Sequence, residues 1–121
     1  MSTMIRGIGV DVVDLDRIRG KDARFVNRVL SEEERKLYDA IQNPARRVSF
    51  LAGRFAAKEA YTKAWGTFET PLNFCDVSIM PDASGKPVLQ SPDDHGVIVH
   101  LSITHSDTVA IGFVIIEKDV D

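Results

Sequence analysis

The stretch Arg46–Trp65 reads as one long helix with apolar side chains on both sides. At about 100° per residue, Phe50, Leu51, Tyr61 and Trp65 fall on one side, and Ala52, Phe55 and Ala56 fall on the other. A helix that is apolar on both sides must be enclosed by the rest of its chain or by neighbouring chains, so the other elements have to wrap around it. Arg54, Lys58, Glu59 and Lys63 are nevertheless embedded in it. Arg54 and Lys58 are spaced i, i+4, as are Glu59 and Lys63, which gives charged ladders on two faces. Charges in an enclosed helix are costly unless they are paired, metal-bound or ligand-bound. Two readings stay open: structural ion pairs at a subunit surface, or an anion site built from three cations with a carboxylate nearby.

The remaining pattern is of mixed type. Met4–Leu15 alternates as a strand, with Ile8, Val10 and Val12 on one face and Gly7, Gly9, Asp11 and Val13 on the other. Asp16–Leu30 reads as a short irregular helix interrupted near Gly20. Ser31 and Glu34 form a capping-box signature that opens a helix through about Ile41, and Asn43–Pro44 breaks that run. Gly66 stands where a helix-ending residue belongs. Thr67–Asn73 is a loop, Phe74–Met80 a strand, Pro81–Gly85 a turn, Lys86–Gln90 a short strand and Ser91–Gly96 a further loop. Val97–Thr104 and Val109–Glu117 make a hairpin joined by His105–Thr108. No linker or repeat divides the 121 residues, so residues 1–121 are expected to form one α+β domain.

Composition narrows the class. Charged residues at 27% and apolar residues at 44% fit a globular chain rather than a disordered one. A single cysteine, Cys75, permits no internal disulfide and points to a reducing, cytoplasmic setting. The longest apolar run, Val109–Ile116, is far shorter than the roughly 20 residues of a membrane span. Acidic residues at 11, 14 and 16 argue against a signal peptide. The net charge of −3 disfavours general nucleic-acid binding. Its distribution is uneven: Arg17, Arg19, Lys21, Arg24 and Arg28 stand against one acid, Asp22. This reads either as a solvated helix face or as a patch for one anionic partner.

Two carboxylates stand out. Glycines weaken a strand interior, and a common reason for them is close approach of something large to the backbone. Asp11 sits beside two such positions; the competing reading is a bulge or bend. Asp11 and Glu59 are hard oxygen donors suited to Mg²⁺, which takes one or two carboxylates plus phosphate oxygens and water. Arg54, Lys58 and Lys63 carry the charge that a diphosphate or a 3′-phosphate requires. Ser84–Pro87 offers turn backbone groups, His105 stands at the mouth of the C-terminal hairpin, and His100 and Cys75 read as structural and inert.

Four segments then carry a resemblance over 4–117: Gly7-Ile-Gly-Val-Asp11, Phe50-Leu-Ala-Gly-Arg-Phe-Ala-Ala-Lys-Glu-Ala60, Gly85-Lys-Pro87 and Leu101-Ser-Ile-Thr-His105. In order and spacing they resemble the holo-[acyl-carrier-protein] synthase family, the small stand-alone 4′-phosphopantetheinyl transferases. The first two segments are the specific pair. The resemblance implies an α+β fold with a small antiparallel sheet and a long central helix, assembled as a homotrimer with active sites between subunits. It implies transfer of 4′-phosphopantetheine from coenzyme A to a serine of apo acyl carrier protein, releasing adenosine 3′,5′-bisphosphate, for fatty acid biosynthesis.

By position in the motifs, Asp11 and Glu59 resemble the Mg²⁺ ligands, and Lys58 and Lys63 the diphosphate contacts. Arg54 and His105 resemble residues near the coenzyme's phosphates, and Ser84, Gly85, Lys86 and Pro87 part of the adenine and 3′-phosphate cradle. The segment with Arg17, Arg24 and Arg28 resembles the surface that docks the carrier's acidic helix. Glu59 and Lys63 are the expected catalytic pair, with Glu59 a base acting directly or through a water. Met1-Ser-Thr3 reads as an N-terminal extension, and the loop after Gly66 departs from the family pattern. A Mg²⁺-dependent nucleotide hydrolase and a non-catalytic coenzyme A sensor share the anion site, but neither accounts for the basic segment.

Overall fold

The computed structural model describes residues 2–66, 73–92 and 95–120. The chain order is β1 (Thr3–Asp14), α1 (Leu15–Ile18), α2 (Ala23–Val29), α3 (Glu32–Ala40) and α4 (Pro44–Trp65). A 3-10 turn at Phe74–Asp76 leads into β2 (Ser78–Pro81), β3 (Pro87–Gln90), β4 (Val97–His105) and β5 (Val109–Asp119). Strands β1, β5 and β4 form an antiparallel sheet in that order, and β2 and β3 pair as a separate two-stranded hairpin. This is the α+β arrangement expected from the alternation of periods.

Helix α4 lies along the inner face of the larger sheet, and the glycines explain how closely. A Cβ on Gly7 would stand 1.7 Å from the Ala64 carbonyl oxygen, and one on Gly9 would stand 1.9 Å from that of Ala60. On β5, Gly112 would meet the Ala57 nitrogen at 2.4 Å. The large object approaching the strand backbone is therefore the backbone of α4 itself. Its alanines at 56, 57, 60 and 64 are all buried, so neither surface offers a side chain to hold the two apart. The register of β1 also shifts between Ile5 and Gly7, an irregularity at the start of the strand, while Gly7, Gly9 and Asp11 pair with β5 in continuous register.

Local signals set the ends of the elements. Ser31 and Glu34 make the reciprocal capping box, with Ser31 N–H donating to Glu34 Oε1 at 2.9 Å and Glu34 N–H to Ser31 Oγ at 3.2 Å. Asn43 caps α4, and Pro44 begins the helix instead of breaking the chain before it, since a proline in the first turn has no N–H to leave unpaired. Gly66 ends α4 at φ +81°, where only glycine is free of strain. The strand expected over Phe74–Met80 is shortened to Ser78–Pro81, because the residues before it fold into the 3-10 turn. Thr3 already pairs with Asp119 in β1. Residues 67–72 of the expected Thr67–Asn73 loop, and 93–94 of the expected Ser91–Gly96 loop, lie outside the described residues. No described helix is long and apolar enough to cross a membrane.

The core has two parts. Val13, Leu15, Ile18, Val26, Val29, Leu30 and Leu51 pack where α1, α2 and α4 meet. Ala57, Ala60, Tyr61, Ile79, Leu101, Val114 and Ile116 pack between α4, the sheet and β2. The outer face of the sheet is different: Ile8, Val10 and Val12 are each more than half exposed, with Phe113 opposite Val10 in the register.

Candidate active site

Asp11 follows the two glycines on the inner face of β1, so its carboxylate emerges where α4 is pressed against the strand. Lys63, near the end of α4, donates to Asp11 Oδ1 at 2.8 Å and to the Val10 carbonyl at 3.2 Å. Glu59 lies one turn earlier on the same face of the helix. Its carboxyl pKa is raised, first by burial and then by the negative charge of Asp11, while Lys63 and Arg17 pull it down. The ammonium of Lys63 is raised by its bond to Asp11. Asp11, Glu59 and Lys63 thus form one cluster, and Arg17, expected on a docking surface, also reaches Glu59 with its field.

The donor set fits a hard divalent cation. Two half-buried carboxylates, with the charge of Asp11 close enough to raise the proton affinity of Glu59, gain from a shared positive charge. Among the described residues no group of three or more His, Cys, Asp and Glu side chains is arranged for a metal. A cation held by Asp11 and Glu59 would therefore complete its shell from water and substrate oxygens, as Mg²⁺ commonly does.

Arg54 and His105 meet elsewhere. Together with Arg46, Ser49, Phe50, Gly53, Ile41 and Ile103 they line a cleft of about 180 Å³. The Arg54 guanidinium stacks on the Phe50 ring at 3.9 Å, donates from Nη2 to the Ile79 carbonyl at 3.1 Å and lies 3.8 Å from Glu34. Its buried Nε has no hydrogen-bond partner among the described residues. Arg46 was not singled out from the sequence. The signal was present, since Arg46, Ser49 and Gly53 repeat at helical spacing and leave an open polar groove above small residues.

Ser84–Pro87 forms the turn of the β2–β3 hairpin. Asp82 Oδ1 accepts from Ser84 N–H at 2.8 Å, Ser84 Oγ at 2.7 Å and Lys86 N–H at 3.0 Å, bonds that hold the Asp82 carboxyl below its usual range. Gly85 takes φ +89°, the conformation this turn requires. Arg17, Arg24 and Arg28 are exposed on α1 and α2. His100 bonds Glu117 at 2.8 Å on the outer sheet face, in the structural role expected of it.

Lys58 requires a correction. Expected as a diphosphate contact, it is 0% exposed. Its ammonium is bonded to Glu34 Oε1 at 2.5 Å and to the carbonyls of Val29, Phe74 and Val77 at 2.7, 2.8 and 2.7 Å. Three donors are fully used by these acceptors, which leaves none for a ligand. Burial lowers its pKa, and Glu34 opposes that. The helical ladders are likewise not internal pairs, since Lys58 pairs with α3 and Lys63 with β1.

One chain therefore divides the expected site. Arg54 and Lys63 are nine residues apart, roughly opposite one another around α4. The carboxylate cluster opens on one side of the helix and the Arg54–His105 cleft on the other.

Comparison with known proteins bears on the family and the fold. Residues 7–114 match the model of the 4′-phosphopantetheinyl transferase superfamily. The chain is 47% identical over 119 residues to the holo-[acyl-carrier-protein] synthase of Listeria innocua, covering 95% of this chain and 100% of that protein. It is also 47% identical to the corresponding synthase of a Geobacillus species, over 95% of this chain and 98% of that one. Its fold superposes on the Bacillus anthracis holo-(acyl-carrier-protein) synthase, solved in complex with CoA (3′,5′-ADP), with TM-score 0.87 and 42% identity over 96% of this chain and 99% of that one. The synthase of Neisseria meningitidis matches with TM-score 0.83 and 35% identity over 95% and 100% of the two chains. With a matching family model over most of its length and near-complete alignment to these relatives, the chain belongs to the holo-[acyl-carrier-protein] synthases of the 4′-phosphopantetheinyl transferase superfamily.

Proposed function

We propose that this enzyme transfers the 4′-phosphopantetheine group of coenzyme A to a serine hydroxyl of apo acyl carrier protein in a Mg²⁺-dependent reaction, supplying holo carrier protein for fatty acid biosynthesis in the cytoplasm. The observation that carries the reading is the Asp11–Glu59–Lys63 cluster at the junction of β1 and α4. Asp11 and Glu59 would hold Mg²⁺, which when bound supplies charge neutralisation to the diphosphate. Lys63 is placed to turn from Asp11 toward phosphoryl oxygens as negative charge builds on them. Glu59, with its raised proton affinity, is suited to take the serine proton directly or through a water. The serine oxygen then bonds to the β-phosphorus as the bond to adenosine 3′,5′-bisphosphate breaks. Arg54, His105 and Arg46 would hold the coenzyme's phosphates, and Ser84, Gly85, Lys86 and Pro87 its adenine end. Arg17, Arg24 and Arg28 would meet the carrier, a partner that a hydrolase has no need of.

Two observations support a homotrimer with sites between subunits. The two halves of the site lie on opposite sides of α4 in one chain, so a neighbour's cleft could complete each carboxylate cluster. The exposed Ile8, Val10, Val12 and Phe113 form an apolar sheet face of the kind that association covers. The test is to incubate the protein with coenzyme A, Mg²⁺ and apo carrier protein and weigh the carrier. A gain of one phosphopantetheine is expected, and an unchanged carrier refutes the reading. Asp11→Ala and Glu59→Ala should each abolish the gain and weaken Mn²⁺ binding measured by EPR, with the oligomer intact by light scattering. Near-normal activity in either variant would refute the metal assignment.

A further inference from the structure

The buried pair of Lys58 and Glu34 takes no part in the mechanism above, yet it joins α2, α3, α4 and the approach to β2. Glu34 is 0% exposed. One of its oxygens accepts from Ser31 N–H and Lys58, and the other accepts from Ile79 N–H at 2.9 Å. Lys58 adds the carbonyl of Val29, the last residue of α2, and the carbonyls of Phe74, the first residue of the 3-10 turn, and Val77, just after it. The final carbonyls of a helix have no partner within it, and buried ones must find one elsewhere. Here a single ammonium from α4 serves the end of α2 and the irregular approach to β2 together. An apolar pair would fill the same space, but it would strand these carbonyls and leave the segments free to shift against one another.

The elements it ties are the ones whose relative placement transfer depends on. Helix α2 carries Arg24 and Arg28, strand β2 leads to the Ser84–Pro87 turn, and α4 carries Glu59 immediately after Lys58. Lys58 points inward while Glu59, about 100° further round the helix, points to the carboxylate cluster. Resting on the proposed function, we propose that Lys58 and Glu34 are positioning residues that lock α2 and the start of β2 onto α4, and so set where the serine of a docked carrier stands relative to Glu59. Helix α2 is held independently by Phe25 against Phe55, ring centroids 5.4 Å apart, so losing the lock loosens the helix without releasing it.

The test is Lys58→Met beside the paired Glu34→Gln/Lys58→Met variant, which removes both buried charges and so keeps the question answerable if the single variant fails to fold. Three quantities are read: steady-state transfer to the carrier, coenzyme A affinity by calorimetry, and hydrogen exchange along the chain. We expect kcat for carrier modification to fall by about tenfold to a hundredfold, the scale of a 1 Å misplacement, and coenzyme A affinity to fall by less than about threefold, since of the coenzyme's proposed contacts only Arg54 and the β2–β3 turn adjoin the lock. Exchange should quicken in residues 26–30 and 74–79 and stay unchanged in β1 and β5. Wild-type carrier kinetics in the folded variant, equal losses of transfer and coenzyme A affinity, or faster exchange spread evenly over the chain would each overturn the inference. A wild-type protein that leaves the carrier's mass unchanged would overturn the proposed function instead, whatever the exchange pattern shows.

Discussion

Substituting Gly9 by alanine tests the contact on which the carboxylate cluster depends. The added Cβ would stand 1.9 Å from the Ala60 carbonyl oxygen, 2.8 Å from its carbon and 2.9 Å from the Ala64 nitrogen. All three are backbone atoms, so no side chain can rotate away. An ordinary contact begins at 3.4 Å, and α4 must therefore lift from β1 by roughly 1–1.5 Å at this point. Overpacking of a close-packed core costs typically 1–3 kcal/mol, and a clash with helix backbone belongs at the upper end, about 3 kcal/mol. For a chain of this length that is a fall in Tm of roughly 10–15 °C. The same displacement carries Glu59 away from Asp11, since Ala60 is its neighbour, so transfer should fall by up to about a hundredfold in whatever protein stays folded. Urea unfolding and Mn²⁺ binding are the measurements. Gly20→Ala is the control: its Cβ meets nothing within 4 Å, but φ is +78°, so it should cost only about 1–2 kcal/mol of backbone strain and leave Mn²⁺ binding alone. If Gly9→Ala were as stable as wild type and bound Mn²⁺ normally, the flush packing of α4 on β1 would be wrong.

Arg24→Glu should weaken carrier binding while leaving coenzyme A affinity unchanged, and wild-type carrier affinity should fall with added salt as exposed attraction is screened over about 8–10 Å. Equal loss of both ligands, or a flat salt response, would make the basic flank structural. Thr3 and His100 hold the Glu117 carboxyl below its ordinary value. A depressed carboxyl contributes stability above its unfolded pKa, about 4.3, and loses it as pH falls through the lower folded value. Glu117→Gln should therefore be less stable than wild type at pH 7, with the two urea midpoints converging below about pH 4. A gap of constant size from pH 7 to pH 3 would refute the assignment.

Much of the fold was legible because the signals were local or periodic. The Ser31–Glu34 capping box, the alternation of β1 and the C-terminal hairpin all stand where the pattern puts them. The glycines of β1 announced a close approach, but nothing in their spacing named Ala60 and Ala64 as the surface that approaches. Asn43–Pro44 carried a start signal that also reads as a break, and the helix beyond it decides between the two. Phe74–Met80 has strand composition throughout, yet its first half is bent into a 3-10 turn, and the carbonyls of Phe74 and of Val77 just beyond the turn converge on Lys58. That override is tertiary, and local propensity holds no record of it.

The charges of α4 show why a correct physical constraint can still misassign a residue. An enclosed helix cannot leave four ionised groups without partners, and the sequence stated that requirement fully. It did not say which face met protein and which met ligand, because Lys58 and Glu59 are adjacent and one step along a helix turns the side chain by about 100°. Glu34 decided the matter from outside the motif. Its place as the third residue of a capping box explained it completely as a local feature, so nothing marked its carboxylate as the counterion of a residue 24 positions later. The same carboxylate stands 3.8 Å from Arg54, which is why Arg54 keeps only part of its guanidinium for the cleft while Lys63, outside this network, remains exposed and able to move. Of Arg54, Lys58 and Lys63 along one helix, the enclosed interior takes Lys58 completely, shares Arg54 with the cleft, and leaves Lys63 for chemistry.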